Sequence, residues 1–203
     1  YRQMVGISSI GDTTVVTDKW MLGTRNSFII GIAATFLATA LGTVAALGLS
    51  RPNMPFKGTI MAILISPMIV PLIITSAGMF FFYSKIGLTH TYLGLILAHT
   101  ALGTPFVVIT VTATLTGFDT NLIRASQSLG ADTMRTFFKV IMPLILPGVI
   151  SGALFAFITS FDEVVVVMFV GSVEQITIPK QMWAGLRQET SPVILCMATC
   201  LVF

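Results

Sequence analysis

Charged residues are scarce in this chain. Lys, Arg, Asp and Glu together make up 9% of its 203 residues, whereas 55% are hydrophobic and the mean hydropathy is +0.94. A soluble globular domain carries roughly 25% charged residues, so the composition excludes an ordinary soluble protein and favours a polytopic membrane protein. The net charge of +3 is small and no run of Lys and Arg is present, which argues against binding to nucleic acid.

Cysteines are few, and a nucleotide-binding motif is missing. Cys196 and Cys200 lie four residues apart in an apolar segment without His, Asp or Glu beside them. That setting favours helix packing over a metal site. The sequence contains no Gly-x-x-x-x-Gly-Lys-Ser/Thr phosphate loop, so we expect the chain neither to hydrolyse ATP nor to bind a cofactor itself.

Long apolar runs define the expected fold, because a helix needs about 20 apolar residues to cross a bilayer. We predict an all-α, polytopic helical bundle that forms a single transmembrane domain over residues 1–203. The chain starts without Met and stops within an apolar run, so we expect it to be part of a longer protein. The predicted spans are Phe28–Leu49, Thr59–Phe82, Tyr92–Leu115, Met142–Val170 and a partial one from Pro192 to Phe203.

Two adjacent carboxylates, Asp162 and Glu163, interrupt the fourth run. An ionised carboxylate inside a membrane helix costs about 2.5–3.5 kcal/mol on insertion scales, so such residues usually serve a pathway or cavity. We therefore predict a substrate pathway at this pair, with hydroxyl groups from Ser160 and Thr159. Mutual repulsion predicts a raised pKa for at least one of the two acids.

Other interpretations of this run remain open. The pair can lie near the outer face of the membrane, in contact with water, or form an ion pair with Lys180 or Arg187. His99 also lies in an apolar run, where a hydrogen bond between helices is a more common role than ligand binding.

Residues 117–141 are too polar to span and predict two short amphipathic helices at the membrane surface. Asp119 or Thr120 can cap the first helix, and Gly130 suits the left-handed position that ends it. Asp132 or Thr133 can cap the second helix, after which Pro143 and the next span follow. Such an element either docks a partner or rests on lipid without one.

This segment resembles the cytoplasmic coupling loop of binding-protein-dependent ABC importer permeases. The family pattern is Glu-Ala-Ala, three residues, Gly, nine residues and Ile-x-Leu-Pro. The chain keeps that spacing in Arg124-Ala125-Ser126, Gly130 and Val140-Ile141-Met142-Pro143. Arg124 departs from the usual Glu, which removes any role of that carboxylate.

Two further segments resemble the same family. Asn26-Ser27-Phe28 is similar to the usual start of the second of typically six spans, which implies that the first is missing here and the last is cut. The stretch 159–166 is similar to the spermidine/putrescine branch, where Ser-Phe-Asp-Asp/Glu-Val-Val is common. The resemblance implies that residues 51–57 and 117–141 are cytoplasmic, and that 1–27, 84–91 and 171–191 are external.

The resemblance implies a function for the whole chain. It implies a permease subunit in the bacterial inner membrane that moves polyamines or related small amines by alternating access. The implied partners are a dimer of ATPase subunits that binds ATP and Mg²⁺, a second permease subunit or a second copy, and an external solute-binding protein. The loop residues Arg124, Ala125, Ser126, Gly130 and Pro143 are then expected to belong to the ATPase-coupling element.

Three alternatives are kept. The same kind of importer can carry another solute, such as an amino-acid-like amine, an opine or a metal ion. An ion-coupled carrier would bind protons at Asp162 and Glu163. A membrane enzyme would use the two carboxylates as acid and base, but it has no need of the loop spacing at 117–141.

Overall fold

The computed structural model describes residues 12–51, 53–117, 119, 121–188 and 198–199. Within this part the chain is helical and contains no strand, as predicted. A π-helical turn at Phe137–Ile141 joins α6 to α7. The helices are α1 (Asp12–Leu49), α2 (Lys57–Ile69), α3 (Leu72–Ile86), α4 (Tyr92–Thr116), α5 (Asn121–Ser128), α6 (Thr133–Thr136), α7 (Met142–Phe161), α8 (Val165–Val170) and α9 (Ile178–Gln188).

Several helices are long enough to span a bilayer. Among the described residues, three stretches are long and apolar enough to cross it, or up to four if α2 and α3 form one broken span. The three are Asp18–Leu49, Tyr92–Thr116 and Thr133–Phe161. They confirm the first predicted span, which begins earlier than expected, and the third. The predicted fifth run lies outside the described residues, apart from 198 and 199.

The second predicted span is wrong as a continuous helix. Helix α2 ends at Ile69 and α3 begins at Leu72, with Pro71 extended at φ −53° and ψ 128°. Proline has no backbone N–H and disfavours a helical conformation in the residue before it, here Val70. Pro67 is accommodated inside α2, so only the second proline breaks the span.

The fourth predicted span is also wrong as a single helix. Helix α7 ends at Phe161, three residues intervene, and α8 begins at Val165. The acidic pair therefore lies in a connection between two helices. Hydropathy does not detect this break because the residues on both sides are apolar.

The chain forms two compact units. The larger part of the long helices belongs to the unit made of Ala34–Ile69 and Thr100–Ile158. Its core is an apolar cluster in which α1, α4 and α7 meet, supplemented by Leu47, Leu115, Ile141 and Met142. The buried members are Ala38, Ala46, Val107, Val111, Ile145, Val149 and Ala156.

Small residues allow α7 to approach α4 closely in this unit. Gly148 and Gly152 are spaced as in a Gly-x-x-x-Gly motif, which favours close packing of membrane helices. A Cβ atom on Gly152 would lie 2.8 Å from the Cα of Val107. A Cβ on Gly148 would lie 3.0 Å from the carbonyl oxygen of Thr110. No larger side chain fits at either position without displacing backbone.

The other unit comprises the described parts of Tyr1–Ala33, Val70–His99 and Thr159–Phe203. Here α8 packs against α3, and Val166, Val167 and Val170 of α8 are completely buried. Trp20 of α1 packs against Ile178 at the start of α9. This unit contains the acidic pair and positions it.

Candidate functional site

Glu163 begins α8. The backbone N–H of Val166 donates a hydrogen bond of 2.9 Å to Oε1 of Glu163. The first N–H groups of any helix lack a partner within it, and a side-chain acceptor just upstream stabilises that end. The Glu163 carboxylate therefore stabilises the first turn of a new helix after α7.

The two adjacent acids lie in different surroundings. Glu163 is 7% exposed, whereas Asp162 is exposed. Burial raises the pKa of Glu163, backbone hydrogen bonds oppose that shift, and the charge of Asp162 adds a smaller upward contribution. The predicted upward shift is therefore present at Glu163, but burial rather than repulsion is its largest cause.

Ser160 is already engaged by a histidine. Its Oγ lies 2.7 Å from Nδ1 of His99, and both residues are buried. The predicted role of His99 in a hydrogen bond between helices is confirmed, since it joins α4 to the end of α7. Thr159, the other predicted hydroxyl, is half-buried.

Lys180 does not neutralise the pair. Its ammonium donates to the backbone carbonyls of Val167, at 3.1 Å, and Ser172, at 3.5 Å. The alternative of an ion pair with Lys180 is thus wrong, because the ammonium is hydrogen-bonded to backbone carbonyls of α8 and of the segment that follows it. Burial lowers the pKa of Lys180. The side chain of Arg187 lies outside the described residues.

The geometry leaves Asp162 as the exposed carboxylate of the site. The other polar groups near it in sequence bond to the protein, Glu163 to a helix end and Ser160 to His99. An exposed carboxylate can attract a cation without holding it tightly. Among the described residues, no cluster of three or more His, Cys, Asp and Glu side chains is placed to hold a metal ion.

The loop at 117–141 folds largely as predicted. The N–H of Asn121, the first residue of α5, donates to Oδ1 of Asp119 at 2.9 Å. Gly130 adopts the expected left-handed conformation, with φ +82°. Asp132 accepts a 2.7 Å hydrogen bond from the N–H of Arg135 and caps α6. Thr120 lies outside the described residues.

One feature of the loop differs from the prediction. The second short helix is not separate from the next span, because α6 continues through Phe137–Ile141 into α7. Pro143 is the second residue of α7 and has no backbone N–H to donate to the preceding π-helical turn. The loop is therefore continuous with α7, the helix that ends at Phe161.

The loop residues that match the family pattern differ in their exposure. Arg124 and Ala125 are exposed, Ser126 is half-buried, and the hydroxyls of Ser126 and Thr136 lie 2.9 Å apart, which ties α5 to α6. The loop also presents a set of large apolar side chains to its surroundings. Their exposed fractions are 44% for Leu122, 88% for Leu129, 66% for Met134 and 59% for Phe138.

Sequence reasoning missed a cavity beneath this loop. It has a volume of about 400 Å³ and lies between α5, α6 and the ends of α1 and α4, with Ser50, Arg51 and Gln127 among its polar lining residues. No local motif marks it, because its walls come from segments that are far apart in sequence.

The fold and the site define an inner-membrane transport component. Residues 8–203 match the family described as "Binding-protein-dependent transport system inner membrane component". The chain belongs to this family. Its members are transport subunits, not enzymes, and they work with a separate binding protein and ATPase.

Sequence relatives agree with this assignment. The chain is 30% identical over 177 residues to the spermidine/putrescine transport system permease protein PotC of Haemophilus influenzae, covering 87% of this chain and 69% of that protein. It is 29% identical over 195 residues to the putrescine transport system permease protein PotI of Escherichia coli K12, with 91% and 68% covered.

Solved structures show the same fold. An inward-facing MetNI methionine ABC transporter matches with a TM-score of 0.74 at 20% identity, over 95% of this chain and 90% of that one. A bacterial ABC transporter that imports alginate matches with a TM-score of 0.67 at 15% identity, over 91% and 64%.

Proposed function

We propose that the chain is the permease subunit of an ATP-driven importer of polyamines, such as spermidine and putrescine, or related small amines. One observation carries the choice of solute. Asp162 presents an exposed carboxylate directly after α7, and a cation is the solute of the sequence relatives named above, which are a spermidine/putrescine and a putrescine permease. A polyamine carries several ammonium groups, each of which a carboxylate attracts.

The four site residues have two different roles in this proposal. Asp162 attracts the cation and Thr159 supplies a hydroxyl acceptor. Glu163 and Ser160 stabilise the local structure, because their polar groups are hydrogen-bonded to Val166 and His99. Transport requires attraction that is strong enough to admit the solute and weak enough to release it. One free carboxylate suits that requirement better than a buried pair of charges would.

The loop at 117–141 is the ATPase-coupling element in this proposal. Its exposed apolar side chains fit a cleft on a cytoplasmic ATPase subunit, and Gly130 sets the turn between α5 and α6. ATP and Mg²⁺ bind to the ATPase dimer. Because α6 runs into α7, closure of that dimer moves the helix whose far end, Phe161, directly precedes Asp162.

The remaining partners complete the proposed machine. A second permease subunit, or a second copy of this chain, forms the other half of the pathway. An external binding protein delivers the solute at the opposite side from the coupling loop. The segments 84–91 and 171–191 then face that protein, and 51–57 faces the cytoplasm.

Uptake of labelled spermidine and putrescine tests the proposal. The complete transporter is expressed in cells that lack other polyamine uptake, with native Asp162 or with Asp162→Asn. Asp18→Asn is the matched control, since it removes an exposed carboxylate from α1. We expect uptake in the native and control strains and its loss in Asp162→Asn at equal amounts of assembled complex.

Each contrary result has a defined meaning. No uptake of either polyamine by the native transporter would contradict the solute class, and a panel of other amines would then replace it. Uptake that Asp162→Asn leaves unchanged would contradict the role of this carboxylate.

A further inference from the structure

Asn26 and Ser27 are buried polar neighbours in α1, with exposed fractions of 0% and 3%. The sequence marks them only as the start of a membrane helix. A buried amide and hydroxyl are costly unless they are hydrogen-bonded. Most of their partners lie about 150 residues later, in the segment that connects α8 to α9 and at the start of α9, and one lies in α4.

The contacts form a clasp around that segment. The Asn26 amide donates to the carbonyl oxygens of Glu174, at 2.7 Å, and Ile176, at 2.9 Å. Its Oδ1 accepts a 2.9 Å hydrogen bond from the Tyr92 hydroxyl. The Ser27 hydroxyl oxygen accepts a 2.9 Å hydrogen bond from the backbone N–H of Ile178. Both N–H donors of the asparagine amide are thereby used, and so is the first N–H of α9.

The clasped segment is tied in turn to α8. Gln175 Oε1 accepts hydrogen bonds from the N–H of Ser172, at 3.0 Å, and from its hydroxyl, at 2.6 Å. Lys180 donates to the carbonyls of Val167 in α8 and of Ser172. The other end of α8 is held by Glu163, the neighbour of Asp162.

We propose that Asn26 and Ser27 are positioning residues for the site at Asp162. They hold the connection between α8 and α9, and that connection holds α8 in the place from which Glu163 and Asp162 are presented. Only the transport part of this inference rests on the proposed function. The structural part, that α8 depends on the clasp, does not depend on the identity of the solute.

Amide hydrogen exchange shows whether the hydrogen bonds of Asn26 and Ser27 stabilise α8 as well as the segment 171–178 that they contact. Exchange is measured by mass spectrometry on the assembled transporter in lipid nanodiscs, with Asn26→Ala, Ser27→Ala and Ser27→Thr. Thr24→Ala is the control, because that hydroxyl bonds only to Trp20 in its own helix turn. Loss of one hydrogen bond predicts about fivefold faster exchange in the segment it stabilises.

We expect Asn26→Ala and Ser27→Ala to speed exchange in 171–178 and also in α8, whereas Ser27→Thr and Thr24→Ala leave both unchanged. Faster exchange confined to 171–178 would overturn the inference. If Asn26→Ala fails to assemble, Ser27→Ala decides, since it removes a single acceptor.

Uptake kinetics test the transport part. At equal amounts of complex, we expect the same two variants to raise KM for the amine with a smaller effect on Vmax, because they disturb the presentation of Asp162. An unchanged KM together with faster exchange in α8 would contradict the link to the site. Absence of uptake in the native transporter would refute the proposed solute, and the exchange result would still stand.

Discussion

Asp162 and Glu163 are adjacent in the chain, but only Glu163 is buried, so the two carboxylates have different surroundings. The Glu163 carboxylate is buried and accepts a hydrogen bond from the N–H of Val166, so it stabilises the start of α8. The Asp162 carboxylate is exposed and available to a cation. Substitutions at the two positions should therefore affect different properties.

Loss of the Glu163 acceptor should lower stability. Removing a side-chain acceptor at a helix start costs about 1 kcal/mol, which corresponds to a fall of about 2–4 °C in Tm for a chain of this size. We expect that fall for Glu163→Ala in the purified complex, measured by thermal unfolding. Below about pH 4.5, Glu163→Gln keeps an acceptor oxygen and should change Tm little; an equal fall in both variants at that pH would contradict the capping role.

Burial of Glu163 also predicts a pH dependence. Its pKa in the folded protein is raised above the ordinary value of 4.5, so the folded state binds this proton more tightly than the unfolded state. The resulting stabilisation is complete below about pH 4.5 and is lost as the pH rises through the raised pKa. Tm of the native complex relative to Glu163→Gln should fall over that interval.

A matched comparison controls for general effects of acid. Glu174 is an exposed carboxylate in the same unit, and Glu174→Gln is the control for the removal of a carboxylate from that unit. A native advantage over Glu163→Gln that grows as the pH rises would have the wrong sign and would refute the assignment.

At this scale the sequence predicted the acidic pair as a candidate site, but not that one carboxylate would be buried and the other exposed. The acidic pair and His99 stand out in the sequence because each interrupts an apolar run. Which carboxylate is buried depends on where α8 begins, and that in turn depends on packing of Val166, Val167 and Val170 inside the unit. Contacts 150 residues apart, such as that of Asn26 with Ile176, have no local signal.

Among the elements, the loop between α5 and α6 was predictable because its determinants are local. Caps at Asp119 and Asp132 and a left-handed Gly130 follow from residue type and spacing. The breaks after Ile69 and Phe161 were not predicted, because apolar composition continues across both. Hydropathy measures transfer into lipid and does not register where a backbone stops being helical.

Gly130 permits a direct test of the loop. Its φ of +82° costs an ordinary residue roughly 1–2 kcal/mol, so Gly130→Ala should distort the turn between α5 and α6. We expect reduced ATPase activity stimulated by the binding protein and reduced uptake, at unchanged amounts of complex. Gly117→Ala is the control, since a Cβ there meets no atom closer than 3.9 Å; equal effects of both changes would argue against the turn.

Close packing of α7 on α4 predicts a further contrast. Gly152→Ala places a Cβ 2.8 Å from the Cα of Val107, and overpacking of this kind costs about 1–3 kcal/mol. We expect a lower Tm and less assembled complex. Gly78→Ala in α3 meets nothing within 4 Å and should leave Tm unchanged or raise it; a neutral result at Gly152 would show that the helices separate easily.

At the scale of the whole molecule, composition alone predicted a helical membrane protein, and the loop spacing predicted the family to which the chain belongs. Neither property needs long-range contacts to be recognised. The solute is a different matter, because the solved structures with a similar fold include a methionine ABC transporter and an ABC transporter that imports alginate. The architecture alone therefore does not identify the cargo, and the proposed role of Asp162 has to be tested directly.

The most direct test of the central claim is spermidine transport into proteoliposomes that contain the purified complete complex. The binding protein is supplied on the external side of the complex and ATP on the ATPase side, with or without a proton gradient. We predict uptake that requires ATP, continues without the gradient, and is lost in Asp162→Asn but not in Asp18→Asn. Uptake that a proton gradient drives without ATP, or that Asp162→Asn leaves intact, would contradict the account.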